Sequence, residues 1–277
     1  MNNKPNLYLI PTPIGNLDDI TIRALKTLEL VDVIFCEDTR ETTKLLHHYH
    51  IKNKLVSCHE FNEEKMKEKV LSYLQLGSNV GVVTDQGTPL ISDPGYKIVE
   101  FIIEHHYTVI SLPGPTAFVP ALTISGLPPQ PFLFYGFLNA KEVKQKKELE
   151  ILKVFPYTVI FYEAPHRILK TLQVLNSVFG DRKACVVREI SKKYETAYYG
   201  SLTEIKSSIN EPKGEFVIVV EGARTETELE NLSISEHIEL YLADGMSTND
   251  AIKKVAKERH IAKSIIYKEY HQNKEGE

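Results

Sequence analysis

The sequence predicts an α/β protein of two successive α/β units, the first on a parallel-rich sheet and the second on a smaller mixed sheet, closed by a helical tail. Three observations predict it. Apolar runs of strand length alternate five times with helical periodicity before residue 127. Leu127-Pro128-Pro129-Gln130-Pro131 places three prolines in five residues and marks a boundary. Past Gly222 the strand patterns stop and only helical spacing continues. The units expected are 1–127, 128–224 and 225–277.

In the first unit, Leu7 to Ile10 is a short strand that breaks into Pro11-Thr12-Pro13-Ile14-Gly15 and then a helix carrying Ile22, Leu25 and Leu28. Neither the Gly-Lys-Ser/Thr ending of a P-loop nor GxGxxG spacing is present, so this loop meets neither a nucleoside triphosphate nor a dinucleotide. Val31 to Cys36 ends in Glu37-Asp38-Thr39-Arg40, and Leu55 to Cys58 ends in His59-Glu60. Val80 to Val83 then opens into Thr84-Asp85-Gln86-Gly87-Thr88-Pro89-Leu90-Ile91-Ser92-Asp93-Pro94-Gly95. Two glycines and two prolines make this loop a rigid shape suited to holding a ligand. Tyr107 to Ser111 is the fifth strand, leading through Pro113-Gly114-Pro115-Thr116-Ala117 into a helix that closes at Gly126. Strand-tip loops of a parallel sheet share one edge, where open α/β sheets bind ligands.

The second unit starts with Phe132 to Tyr135 and the basic stretch Lys141 to Lys147, which includes Lys144, Lys146 and Lys147. Thr158 to Phe161 ends in Tyr162-Glu163-Ala164-Pro165-His166-Arg167, and Ala184 to Val187 in Arg188-Glu189. Thr196 to Tyr199 and Phe216 to Val220 complete the sheet. After the acidic linker Thr225 to Glu230, three short helices follow, with Ser247 or Thr248 capping the second. Lys253, Lys254, Lys257, Arg259, Lys263 and Lys268 line the last two, a pattern shared by helix-turn-helix pairs and by small helical caps.

Composition narrows the function classes. The net charge of the 277 residues is −4, so no global basic field exists and a nucleic acid must be met by local patches. The three cysteines are widely spaced and form no CxxC, which reads as buried thiols rather than a metal site. No apolar run approaches the length of a membrane span and no signal core precedes Leu7, so a cytoplasmic protein is expected. By residue chemistry alone the chain is an enzyme with a rigid small-molecule pocket between its two units. His59, at a strand tip, is the one histidine kept as a catalytic candidate.

TPIGNLDDIT, EDTR, TDQGTPLISDPGY, LPGPTAF, FYEAPHR, REISKKYET and GEFVIVVEG, in this order, resemble the tetrapyrrole-methylase superfamily, and more closely its branch of ribosomal small-subunit RNA methyltransferases. The resemblance runs from Leu7 to Gly222, and the tail resembles that branch's helix-turn-helix. It implies S-adenosylmethionine as cofactor and 2′-O-methylation of a cytidine ribose in the decoding centre of 16S rRNA. It also implies a homodimer; whether the rRNA is met naked or within the small ribosomal subunit stays open, the net negative charge favouring the assembled particle.

Carried onto this chain, the resemblance places Thr88 where the superfamily has an acid, with Asp85 and Asp93 as the carboxylates nearby. Ile91 would line the adenosyl pocket, Thr116 and Ala117 would touch the methionine or ribose end, Tyr162 would close the pocket, and Pro13 and Ile14 would approach by backbone. Removing the proton of a weakly acidic 2′-hydroxyl calls for a base, for which Glu163 and His59 are the candidates. Arg167, Arg188 and Arg40 would orient phosphates or the nucleotide, and Lys144, Lys146 and Lys147 would contact RNA. Two rivals are a methylase of a small tetrapyrrole and a non-enzymatic nucleic-acid-binding regulator. The basic stretch and the helical tail argue against the first, and the elaborate loops argue against the second.

Overall fold

The computed structural model describes residues 4–59, 62–223, 229 and 232–274. Glu60 and all of the acidic linker Thr225 to Glu230 except Leu229 lie outside the described residues. Strands β1 (Asn6–Leu9), β2 (Val33–Cys36), β3 (Leu55–Ser57), β4 (Val80–Val83) and β5 (Thr108–Ser111) form a sheet in the order β3-β2-β4-β1-β5. Every pair in it is parallel. Strands β2 and β4 are buried along their whole length, which is why they read as unbroken apolar runs.

Crossover helices cover both faces. On one, α1 (Ile22–Leu30) and α2 (Thr39–His48) bring Leu28 and Leu46 against Ile10, Ile34 and Val83. On the other, α3 (Glu63–Gln75) and α4 (Tyr96–Glu104) bring Val70, Leu74 and Ile98 against Leu7, Phe35 and Val82. The side chains of Thr21 and Asp38 cap α1 and α2 by accepting from the N–H of Ala24 and Arg40. Helix α4 starts at Gly95, which has no side chain to cap with. The buried Glu63 does so from α3, its Oε1 accepting from Gly95 N at 3.0 Å and Lys97 N at 2.9 Å.

A short helix, α5 (Phe118–Ile124), joins the units: its Ala121 and Leu122 pack on Ile160, Cys185, Val217 and Val219 of the second sheet. That sheet holds β6 (Phe132–Phe137), β7 (Thr158–Glu163), β8 (Lys183–Arg188), β9 (Thr196–Ser201) and β10 (Phe216–Val220), in the order β6-β7-β10-β8-β9. β6 and β7 are parallel and the remaining pairs antiparallel, so the sheet is mixed as expected. It is not the smaller of the two. It too has five strands, and polar ends such as Tyr162-Glu163 and Gly200-Ser201 stay in the ladder, because backbone pairing is indifferent to the side chain. Its far face is covered by α6 (Glu142–Leu152), α7 (Ile168–Phe179) and α8 (Leu202–Ser208).

The tail is α9 (Ile234–Ala243), α10 (Thr248–Glu258) and α11 (Lys263–Lys274), closed around their own core of Ile238, Ile252, Val255, Ile266 and Tyr270. Ser233 and Glu236 form a capping box on α9, and Ser247, not Thr248, caps α10. Arg259 turns inward, donating to Leu232 O at 2.5 Å and His237 Nδ1 at 3.0 Å, while Lys254 lies 3.9 Å from the Tyr241 ring centroid. Among the lysines and arginines of the helix pair whose side chains are described, the exposed ones are Lys253, Lys257, Lys263 and Lys268. Among the described residues no helix is long and apolar enough to cross a membrane, no group of side chains is arranged to hold a metal, and the three cysteines are free and buried.

Candidate active site

All five strands of the first sheet run the same way, so their carboxyl-end loops meet on one edge. The loops are tied to each other. Thr12 and Gly87 exchange backbone hydrogen bonds of 2.9 and 3.1 Å, and the Thr12 hydroxyl donates to Thr84 O at 3.1 Å. The Thr88 hydroxyl donates to Pro115 O at 2.9 Å. A threonine does here what an aspartate cannot, since a carboxylate has no proton to give a carbonyl. Gly87 sits at φ +87°, and a Cβ there would come within 3.3 Å of Ile14 Cγ2. Leu90 and Ser92 also hold positive φ, at +72° and +65°, a cost that non-glycine residues bear mainly where a loop's shape is needed.

The second sheet faces this edge with the ends of β7, β8 and β10. Its 189–195 loop reaches across: the Ser191 hydroxyl donates to the Asp19 carboxylate, and Lys192, paired with Glu189 at 3.1 Å and Glu215 at 2.9 Å, lies against Gly15. Between the two walls lies a cavity of about 410 Å³. One wall is Ile14, Gln86 to Thr88, Ile91 to Asp93, Thr116 and Ala117; the other is Phe137, Tyr162 to Pro165, Ile190 and Glu215 to Val217. The size and mostly apolar lining suit a small organic ligand.

The structure brings Ile14, Thr88, Ile91, Asp93, Thr116, Ala117 and Tyr162 together in this cavity. Pro13 and Asp85 line an adjoining groove of about 370 Å³ with Thr84, Lys44 and His48. Glu163 is at the cavity, but its fully buried carboxylate is committed elsewhere. Oε1 takes Arg167 Nε at 3.0 Å and Ala164 N at 2.8 Å, and Oε2 takes the Thr171 hydroxyl at 2.5 Å. Gln145 extends the network to α6 by donating to Thr171 at 3.1 Å, and Arg167 donates on to Leu138 O at 2.7 Å. His59 stands at the tip of β3 near Glu37 and is not part of the cavity lining.

Arg188 ends β8 on the strand face it shares with Ala184 and Val186, the face packed on α7 and α8, and its Nε is buried without a hydrogen-bond partner among the described residues. Arg40 is exposed and clamps Asp38 at 2.6 Å. That hydrogen bonding holds the Asp38 carboxyl at about 2. Lys144, Lys146 and Lys147 are exposed on α6, where Lys146 pairs with Glu142 at 3.0 Å. Gln86, Ser92, Phe137, Ile190 and Glu215 to Val217 were not singled out from the sequence. The signal for the last group lay in alternation: Val217 and Val219 share the face of β10 turned to the first unit.

Three carboxylates, Glu37 and the long loop's own Asp85 and Asp93, crowd this edge. Burial, and then Asp85, pushes Glu37 up; burial pushes Asp85 up; and burial pushes Asp93 up to about 6. The buried Thr84 hydroxyl lies between Glu37, 3.4 Å away, and Asp93. Across the cavity, Tyr162 accepts from Phe118 N at 3.2 Å, and burial raises its phenol.

The sequence model of the Tetrapyrrole (Corrin/Porphyrin) Methylases matches residues 6–206. A protein of Bacillus subtilis named ribosomal RNA small subunit methyltransferase I is 46% identical over 273 residues, covering 96% of this chain and 94% of its own. One of the same name from Halalkalibacterium halodurans is 43% identical over 278 residues, covering 98% and 96%. Among solved structures, uroporphyrin-III C-methyltransferase from Thermus thermophilus complexed with S-adenyl homocysteine superposes with a TM-score of 0.57 at 19% identity, covering 77% of this chain and 96% of that one. With its two facing sheets, its interlocked loops and relatives matching it over nearly its whole length, the chain belongs to the tetrapyrrole methylase family and, within it, to the ribosomal RNA small subunit methyltransferase I group.

Proposed function

We propose that the protein transfers a methyl group from S-adenosylmethionine to the ribose 2′-oxygen of a cytidine in the decoding centre of 16S rRNA, acting as a homodimer on the small ribosomal subunit. The observation that carries the reading is the cavity between the sheets, in a chain whose relatives named for the small-subunit RNA match it over nearly its whole length. The cavity's lining fits the cofactor. Ile14, Ile91, Ala117, Ile190 and Val217 offer apolar surface for an adenine, and Gln86, Ser92 and Thr116 offer polar groups for a ribose and an amino acid end. Gly87, without a Cβ, lets the long loop lie close to Ile14.

S-adenosylmethionine supplies, when bound, a methyl carbon made electrophilic by its sulfonium. What remains for the protein is alignment and proton removal. Thr88 locks the long loop to the Pro115 loop, and Tyr162 holds the start of α5, so both halves of the first wall are fixed before a ligand arrives. The Glu163–Arg167–Thr171 network fixes the opposite wall at Ala164 and Pro165. The RNA contacts proposed are Arg40, Lys144, Lys146 and Lys147, with the exposed lysines of α10 and α11. They lie outside the cavity, where a polymer needs to be held by its phosphates.

The test is mass spectrometry of nucleosides from small subunits of a strain lacking the gene, before and after treatment with the purified protein and S-adenosylmethionine. Gain of one 2′-O-methylcytidine at a decoding-centre position is expected. A methyl group on a base atom, or an unchanged methylation map, contradicts the proposal, and sedimentation equilibrium showing a monomer removes the homodimer.

A further inference from the structure

Among the described residues, four ionisable side chains line the cavity: Asp93, Tyr162, Glu163 and Glu215. Three are spoken for. Both oxygens of Glu163 are occupied by Arg167, Ala164 N–H and Thr171. Glu215 is paired with Lys192 at 2.9 Å, on a largely exposed side chain. Tyr162 is engaged with Phe118 N–H, and its raised phenol is a poor proton acceptor.

The geometry points to Asp93 as the group that accepts the ribose 2′-hydroxyl proton during methyl transfer, rather than as a ligand of the cofactor. This rests on the 2′-oxygen reading above. The 2′-oxygen forms the new O–CH3 bond as the S–CH3 bond breaks. The bonding pair stays on sulfur as the neutral thioether, and the 2′-O–H proton passes to the Asp93 carboxylate and from there to water.

The surroundings suit that task. Asp93 follows Ser92, whose φ of +65° helps set the shape of the loop that carries it. The groups facing it are Thr84 beneath, Glu37 from the tip of β2, Asp85 from its own loop and Tyr162 from the opposite wall. None of these is a cation; burial, with Glu37 and Asp85 adding to it against the Thr84 hydrogen bond, raises the proton affinity of the carboxylate to about 6. A base that titrates just below neutral pH is ionised at working pH and still basic enough to assist. His59 faces Glu37 and is outside the lining, so it is not placed to act directly.

The experiment compares wild type, Asp93→Asn and Asp93→Glu on small subunits, with single-turnover rates from pH 5 to 8.5 at saturating S-adenosylmethionine and calorimetric affinity for the cofactor. The wild-type rate is expected to fall tenfold per pH unit below about 6. Asp93→Asn should lose roughly 10²- to 10⁴-fold in rate, the usual contribution of a general base, and show no such limb. Its cofactor affinity should stay within about twofold of wild type, and Asp93→Glu should restore part of the rate and the limb. A rate in Asp93→Asn within about threefold of wild type, or cofactor binding weakened about tenfold or more, overturns the assignment. So does a wild-type rate that is flat between pH 5 and 8, a result that needs no variant to fold. Product analysis separates the two claims. A base-methylated nucleoside defeats the 2′-oxygen reading, whereas 2′-O-methylcytidine made equally fast by Asp93→Asn defeats the role of Asp93 alone.

Discussion

Asp93→Asn should make the protein more stable as well as less active. Burial beside Glu37 and Asp85 lifts the Asp93 carboxyl from 3.8 to about 6, which means that the fold disfavours its ionised form. About two pKa units at about 1.36 kcal/mol each set a ceiling of about 3 kcal/mol, and partial access of water through the cavity lowers this to about 1–2 kcal/mol. Asparagine keeps the shape and an acceptor for Thr84 while removing the charge. The sign follows from the raised folded value. Below about pH 3.8 the wild-type carboxyl is neutral both folded and unfolded and the variants should melt together; the gap is small at pH 4, widens toward about 6 because the unfolded chain ionises while the folded carboxyl does not, and is at full size by pH 8. For a chain of this length about 1–2 kcal/mol corresponds to a melting temperature higher by about 2–5 °C. Calorimetric melting at pH 4, 6 and 8 reads it directly. A variant that melts at or below the wild type at pH 8, or a gap that does not change with pH, refutes the argument that the site strains its own base.

The other predictions concern the walls and the tail. Glu163→Ala leaves Arg167 and Thr171 without their buried partner and should cost about 3 kcal/mol in urea unfolding, the order found when one side of a buried ion pair is removed. Thr88→Val loses the bond to Pro115 O and should cost about 1 kcal/mol, with cofactor affinity falling several-fold because the two loops are no longer tied. Replacing Lys253, Lys257, Lys263 and Lys268 by glutamine should leave cofactor affinity unchanged. It should also flatten the dependence of log K for RNA on log salt by about 0.7 for each phosphate that a lysine no longer neutralises, measured by filter binding.

Much of this was legible in the sequence. Buried parallel strands are continuous apolar runs, so Val33 to Cys36 and Val80 to Val83 announced themselves, and the polar tips after them could be assigned to one edge because parallel strands leave no other place. That a hydroxyl caps α10 was readable as Ser247 or Thr248, and the structure selects Ser247.

What sequence could not supply was direction. Glu163 stands at a strand tip beside the cavity, but the choice of its carboxylate between the cavity and Arg167 depends on α7 lying behind it. Arg188 is likewise turned to the α7 and α8 side by strand alternation. Arg259 looked like a surface cation in a basic helix pair, and its inward turn follows from the carbonyls at the start of α9 needing donors. Thr88 looked like a missing acid; its partner, Pro115 O, is 27 residues away and visible only once the loops are assembled.

The claim beneath all of these is that the cavity between the two sheets is where the cofactor binds. Ala117→Phe places a ring in that cavity, at the start of α5. Calorimetric titration with S-adenosylmethionine should show one site per chain in the wild type and binding weakened at least tenfold in Ala117→Phe, with an unchanged circular dichroism spectrum. Equal affinity in the two proteins contradicts the account.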